Sequence, residues 1–192
     1  IVSLNRRYFP EVLAVRRLAL ENGGPVHCAA TYNKILGIPA DLLGTLLPDP
    51  ILSDAIHHVD LLRWLAGPSE DKAAIPIEVY SEVTEGPRAG EHRQNATVRF
   101  DTGAIGSLTS HFGVGGRIQR AEIHAVDFSA YLDLTRGRNV EMYRATPNEN
   151  GTTTGNMIEE PLDLDAVGGT GFNEVTHFVD CILQDKTPWS NL

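Results

Sequence analysis

Asn95-Ala-Thr-Val-Arg-Phe100-Asp-Thr-Gly103-Ala-Ile-Gly-Ser-Leu-Thr-Ser-His-Phe112 reads as two strands joined by a tight turn. The flanks alternate with period two, and Asp101-Thr-Gly103 is a hairpin signal, so the two strands run antiparallel. The same alternation recurs over 76–84, 117–126, 129–135 and 138–144. Upstream of Pro68 helices dominate. Ile1–Asn5 alternates like a short strand, and Phe9–Asn22 carries Val12, Val15, Leu18 and Ala19 on one helical face before Gly23-Gly24 stops it. Pro25–Lys34 returns as a strand, and a Gly/Pro-rich loop over Leu36–Pro50 leads to a second helix, Asp54–Gly67. Beyond the strands, Asn148–Gly155 reads as a polar loop. A last helix, Phe172–Gln184, has Phe172, Val175, Phe178, Val179 and Ile182 as its apolar face.

Helices, then a run of strands, then a helix is the order of an α+β fold: a mostly antiparallel open sheet with the three helices packed on one face. Residues 1–192 are expected to form one domain. A sheet covered on one side leaves its other face for solvent or a partner, and Ile105, Leu108 and Ile123 point to a homo-oligomer formed through that face.

The composition excludes several classes. A net charge of −9 and a pI near 5.2 argue against nucleic acid or an anionic membrane surface as partner. No apolar run approaches the roughly 20 residues that cross a bilayer, and no signal pattern opens the chain, so a cytoplasmic location is the expectation. Cys28 and Cys181 lack metal-ligand spacing, so no metal site is expected and both are read as reduced, buried thiols. No strand is followed by G-x-G-x-x-G and a helix, and no P-loop occurs. Gly168-Gly-Thr-Gly171 precedes a helix and is read mainly as a flexible lead-in.

The helix Asp54-Ala-Ile-His57-His58-Val-Asp60-Leu-Leu-Arg-Trp64-Leu-Ala-Gly67 carries the chemistry. Leu61, Leu62, Trp64 and Leu65 supply a buried stripe, Asp54 caps the start, and Gly67-Pro68 stops it. Two histidines and two aspartates in the first two turns are more than packing requires. Groups three and four apart at a helix start converge on one point in a cleft, as proton-transfer sites need. His57 and Asp54 are the candidate catalytic pair; His58, four residues from Asp54, is the adjacent alternative. Asp60, His58, Arg7, Tyr32 and Asn33 are candidate substrate contacts, and Asn5 and Arg6 candidate cofactor contacts.

Four landmarks resemble, in order, the carboxy-terminal domain of the glucose-fructose oxidoreductase, inositol dehydrogenase and rhizopine-catabolism (Gfo/Idh/MocA) oxidoreductases. They are Ser3-Leu-Asn-Arg-Arg-Tyr-Phe-Pro10, Ile56-His57-x-x-Asp60-Leu-Leu-x-Trp64-Leu-x-Gly67, Phe100-Asp-Thr-Gly103-Ala-Ile-Gly106-Ser-Leu, and Phe172-Asn-Glu174-x-x-His-Phe178-x-Asp-Cys-Ile with Pro188. The resemblance implies a domain of the dihydrodipicolinate-reductase-like carboxy-terminal type. It implies that residues 1–5 are the last strand or linker from a separate Rossmann domain that holds NAD or NADP. It also implies that this chain is the substrate-binding and catalytic half of an oxidoreductase acting on a sugar, polyol or related hydroxy compound. In that family a histidine of the H-x-x-D helix and an aspartate one turn earlier lie near the reacting hydroxyl, beside a lysine from the nucleotide domain. His57 fits by its spacing to Asp60. The family aspartate most often stands four before the histidine, where this chain has Ser53; Asp54 stands three before it. The glycine fingerprint and the Glu-Lys-Pro lysine motif are absent from the sequence, so the chain alone is expected to be inactive. The competing expectation is a non-catalytic binding or oligomerisation module that retains the fold.

Overall fold

The computed structural model describes residues 3–35, 51–87 and 91–190. The expected loop over Leu36–Pro50 lies outside them. Eight strands form one sheet: β1 Pro25–Lys34, β2 Pro76–Glu85, β3 His92–Phe100, β4 Ile105–Phe112, β5 Ile118–Ala125, β6 Phe128–Asp133, β7 Asn139–Pro147 and β8 Thr153–Met157. Their order is β2-β3-β4-β1-β5-β6-β7-β8, with β1 parallel to β4 and every other pair antiparallel. The fold is therefore α+β with a mostly antiparallel open sheet. The turn at Asp101-Thr-Gly103 closes β3 onto β4 as its sequence requires: Gly103 has φ 86° and its N–H donates to the Phe100 carbonyl at 3.0 Å. The edge strand β8 falls partly in the segment read from sequence as a loop; it is exposed throughout and carries no alternating apolar signal.

The first strand in sequence sits at the centre of the sheet. β1 alternates Cys28, Ala30 and Tyr32 toward the core with His27, Ala29 and Asn33 toward the other face. The small Cys28 and Ala30 let helices approach closely: α1, Pro10–Glu21, lies over β5 and β6, and α2, Ile56–Leu65, over β1 and β4. Gly106 is required by that approach, because a Cβ there would stand 2.7 Å from the Phe100 ring and 3.0 Å from Leu62 Cδ2. Val12, Val15, Ala19, Leu61, Trp64, Phe100, Ile123, Phe128 and Leu132 fill the layer between helices and sheet. Ile123 belongs to this core, and Leu108 is partly buried against it, so of the three apolar residues read as the open sheet face only Ile105 is exposed there.

One further expectation is corrected. Ser3 and Leu4 form no strand; they lead into a single 3-10 turn, Asn5–Tyr8, which ends where Pro10 opens α1. The third helix, α3 Glu174–Leu183, packs His177 against Tyr8 and Trp189. It buries His177 and Cys181, while Val175, Val179, Ile182 and Leu183 are exposed, at 68, 46, 64 and 78 %. Of the apolar face foreseen for this helix, Phe172 packs against the core and Phe178 is partly buried, while Val175, Val179 and Ile182 are uncovered among the described residues. No described helix is long and apolar enough to cross a membrane.

Arg16 locks the turn after α2. Its guanidinium is buried, lies 3.9 Å over the Trp64 ring, and donates to the carbonyls of Trp64 (2.7 Å), Glu70 (2.6 Å), Lys72 (2.7 Å) and Ser69. Burial lowers its pKa to about 10, which still leaves it cationic at neutral pH.

Candidate functional site

The start of α2 meets the end of β1 and the Asn5–Tyr8 turn, and this junction collects most of the residues singled out from the sequence. A π-helical turn, Ile51–Ala55, precedes α2, with Ala55 at the N-cap position. Asp54 therefore does not cap the helix. Its carboxylate instead forms an ion pair with Lys34, which ends β1. Lys34 had no sequence signal of its own; its role appears only when β1 is laid against α2.

His57 is half-buried. Its Nδ1 is buried without a hydrogen-bond partner among the described residues. Burial and the nearby Arg6 cation hold its pKa below the usual histidine value, against the opposing pull of Asp54, Asp60 and Glu174. A neutral imidazole is the form in which histidine accepts a proton.

His58 faces the other way. It is fully buried, its ring centroid lies 4.9 Å from that of Tyr32, and neither ring nitrogen has a partner among the described residues. Burial, with Arg6, His57 and Arg117 nearby, drives its pKa down to about 3. Tyr32 is buried beside it, and its phenol is pushed up to about 12 by desolvation and by the Asp54 carboxylate.

Arg7 and Asp60, both read as substrate contacts, are turned into the protein and onto each other. Arg7 Nε donates to Asp60 Oδ2 at 2.8 Å, Nη2 donates to Oδ1, and Nη1 donates to the Trp189 carbonyl at 2.6 Å. Both are buried, so the pair ties α2 to the Asn5–Tyr8 turn and to the C-terminal segment. Asn33 lies on the sheet face opposite Tyr32 and accepts from the His111 N–H at 3.2 Å. The structure does not bring it to the junction. Asn5 and Arg6 are half-buried beside it; Arg6 Nη1 donates to Asn5 Oδ1 at 3.1 Å.

No described group of three or more His, Cys, Asp and Glu residues could hold a metal ion. At the start of α3, Asn173 Oδ1 accepts from the Val175 and Thr176 amides at 2.9 and 3.1 Å, so those amides are satisfied from within.

No protein-family model matches the sequence, and no curated protein matches it in a sequence comparison. Solved structures do match its fold. UDP-N-acetylglucosamine 3-dehydrogenase GnnA from Acidithiobacillus ferrooxidans is similar over 96 % of this chain and 52 % of its own, at 18 % identity and a TM-score of 0.65. Levoglucosan dehydrogenase in complex with NADH and L-sorbose is similar over 94 % and 55 %, at 15 % identity and a TM-score of 0.66. An NAD-binding protein from Listeria innocua is similar over 98 % and 54 %, at 15 % identity and a TM-score of 0.69. The chain thus spans about half the length of the structures it matches, and the likeness is one of fold.

Proposed function

We propose that this chain is the substrate-binding and catalytic half of a nicotinamide-dependent oxidoreductase of the Gfo/Idh/MocA type, acting on a sugar, polyol or related hydroxy compound. The observation that carries the reading is His57: a half-buried imidazole, kept neutral by burial and by the Arg6 cation, standing at the junction of α2, β1 and the Asn5–Tyr8 turn. It accepts the proton of the substrate hydroxyl at Nε2 as the same carbon gives up hydride to the nicotinamide ring. Asp54 orients this end of α2 through Lys34 and offers a carboxylate to the substrate hydroxyls. Tyr32 and His58 exclude water from behind the site, while the Arg7–Asp60 pair holds α2 in place.

NAD or NADP is held mainly by a separate nucleotide-binding unit, and Asn5 and Arg6 mark the side on which that unit approaches. The uncovered apolar face of α3 supports the same division, because an exposed row of Val175, Val179, Ile182 and Leu183 is a cost in water that a packed neighbour removes. The open face of the sheet, with Ile105 and Tyr131 exposed on it, is the surface for self-association.

The reading frame around the codon for Ile1 provides the first check, through a glycine-rich βαβ unit and a Glu-Lys-Pro lysine. The polypeptide it encodes should then reduce NAD or NADP with a member of a sugar and polyol panel. Absence of turnover with every member, while the nicotinamide still binds, would leave a binding or assembly module as the function.

A further inference from the structure

We propose that the site selects a substrate bearing a carboxylate, a sugar acid rather than a neutral sugar, and that Arg6 and Arg117 recognise it. The inference rests on the reading of this junction as a sugar site and names the substrate class it takes. Arg117 gave no signal in the sequence and comes to the site through strand register. Ile118, the first residue of β5, lies opposite Asn33, which places Arg117 at the Lys34 end of β1. The preceding glycine-rich turn is fastened there by Gly113, whose N–H donates to the Lys34 carbonyl at 3.0 Å.

Arg6 approaches from the Asn5–Tyr8 turn. The charges at this junction do not cancel among the described residues. Lys34 is paired with Asp54, and Arg7 with Asp60, whereas Arg6 donates to the Asn5 amide oxygen and lies 5.2 Å over the Phe9 ring, and neither Arg6 nor Arg117 has an acidic partner among the described residues. Arg6 Nε is sealed from water without an acceptor, a buried donor that costs stability until an oxygen meets it. One residue on from the Asn33–Ile118 pair, Arg117 falls across from Lys34 on the sheet face of Tyr32, where its charge and that of Arg6 oppose each other and Asp54 offsets them at Arg6. Glu174, the other acid near His57, is held away by Ser3 Oγ at 3.0 Å and the Leu4 N–H at 3.1 Å. Neither guanidinium fork is bonded to a carboxylate among the described residues, and a carboxylate matches guanidinium geometry.

The test is calorimetric titration of the intact chain at neutral pH with D-glucuronate, D-glucose and inorganic pyrophosphate, the last standing for a cofactor's phosphates. Glucuronate should bind at least about tenfold more tightly than glucose. Arg117→Gln and Arg6→Gln should each weaken glucuronate by about tenfold or more and leave glucose unchanged, with Arg117→Lys losing less. Arg117 is exposed, so its variants test the idea even if Arg6→Gln disturbs the fold. Equal affinity for the two sugars, no binding of either, or full retention by Arg117→Gln would overturn the carboxylate site. Pyrophosphate binding more tightly than glucuronate and displacing it would also overturn it, assigning the arginines to the cofactor. Loss of the preference for glucuronate over glucose ends this inference while the oxidoreductase reading stands, because that reading is judged by hydride transfer.

Discussion

Arg7 and Asp60 form a two-pronged pair, Nε donating to Oδ2 at 2.8 Å and Nη2 to Oδ1, with both side chains buried and 53 residues apart in sequence. The third arm of the guanidinium reaches the Trp189 carbonyl, so one cation joins the N-terminal turn, the candidate catalytic helix and the C-terminal segment. Removing one partner strands the other charge in a dry setting. Asp60→Ala is expected to cost about 3–5 kcal/mol in urea unfolding, whereas the apolar double variant Arg7→Met/Asp60→Leu should lose less than Asp60→Ala alone. A double variant as unstable as the sum of its singles would show that the pair is not the tie described.

His58 makes the fold sensitive to acid. Its folded-state pKa of about 3 lies below the unfolded value near 6.5, so the folded chain resists protonation and the unfolded chain takes the proton first. The associated stability is complete above pH 6.5 and is lost as pH falls from there toward about 3. His58→Leu, close in volume and without polar nitrogens, should stay within about 1.5 kcal/mol of the parent at pH 7 and lose less stability on acidification. Chemical denaturation at several pH values gives the comparison. Parallel pH profiles for parent and variant would remove His58 as the cause.

The exposed face of α3 separates folding from assembly. Val179 and Ile182 are 46 and 64 % exposed, so Val179→Lys/Ile182→Lys should change the unfolding free energy of this chain by no more than about 0.5 kcal/mol per site. The same change should weaken docking of the nucleotide-binding unit at least tenfold, measured by light scattering of mixed samples. Unaltered docking would mean that the face is covered by something else.

Much of the fold was legible because period-two and period-four patterns are local: the Asp101-Thr-Gly103 hairpin, α1 and α2 follow from residues within a few positions of one another. The central place of β1 was not legible, since its parallel pairing with β4 joins residues as distant as Ala30 and Leu108. Partners of charged groups were hidden for the same reason. Asp54 looked like a cap and proved to be held by Lys34; Arg7 and Asp60 looked like ligand contacts and proved to be each other's partner. In α3 the periodicity identified an apolar face, but periodicity does not say what covers it.

His57 and His58 are neighbours in sequence with opposite surroundings, and that contrast gives the sharpest expectation for the assembled enzyme. Successive residues on a helix point about a quarter-turn or more apart, and here the step leaves one imidazole half-buried and takes the next into the core beside Tyr32. His57→Ala should lower turnover by about a hundredfold or more, the scale of a positioned acid-base group, while nicotinamide affinity stays nearly constant. His58→Leu should change turnover per folded molecule little. Because His57 acts as a base and its pKa lies below the ordinary histidine value, oxidation should hold its plateau down to slightly acidic pH and fall only below that pKa. Steady-state rates of the two variants across pH, referred to folded protein, decide the matter. Loss of turnover in His58→Leu with retention in His57→Ala would move the proton-accepting role to the neighbouring position, and retention in both would leave α2 as a structural helix.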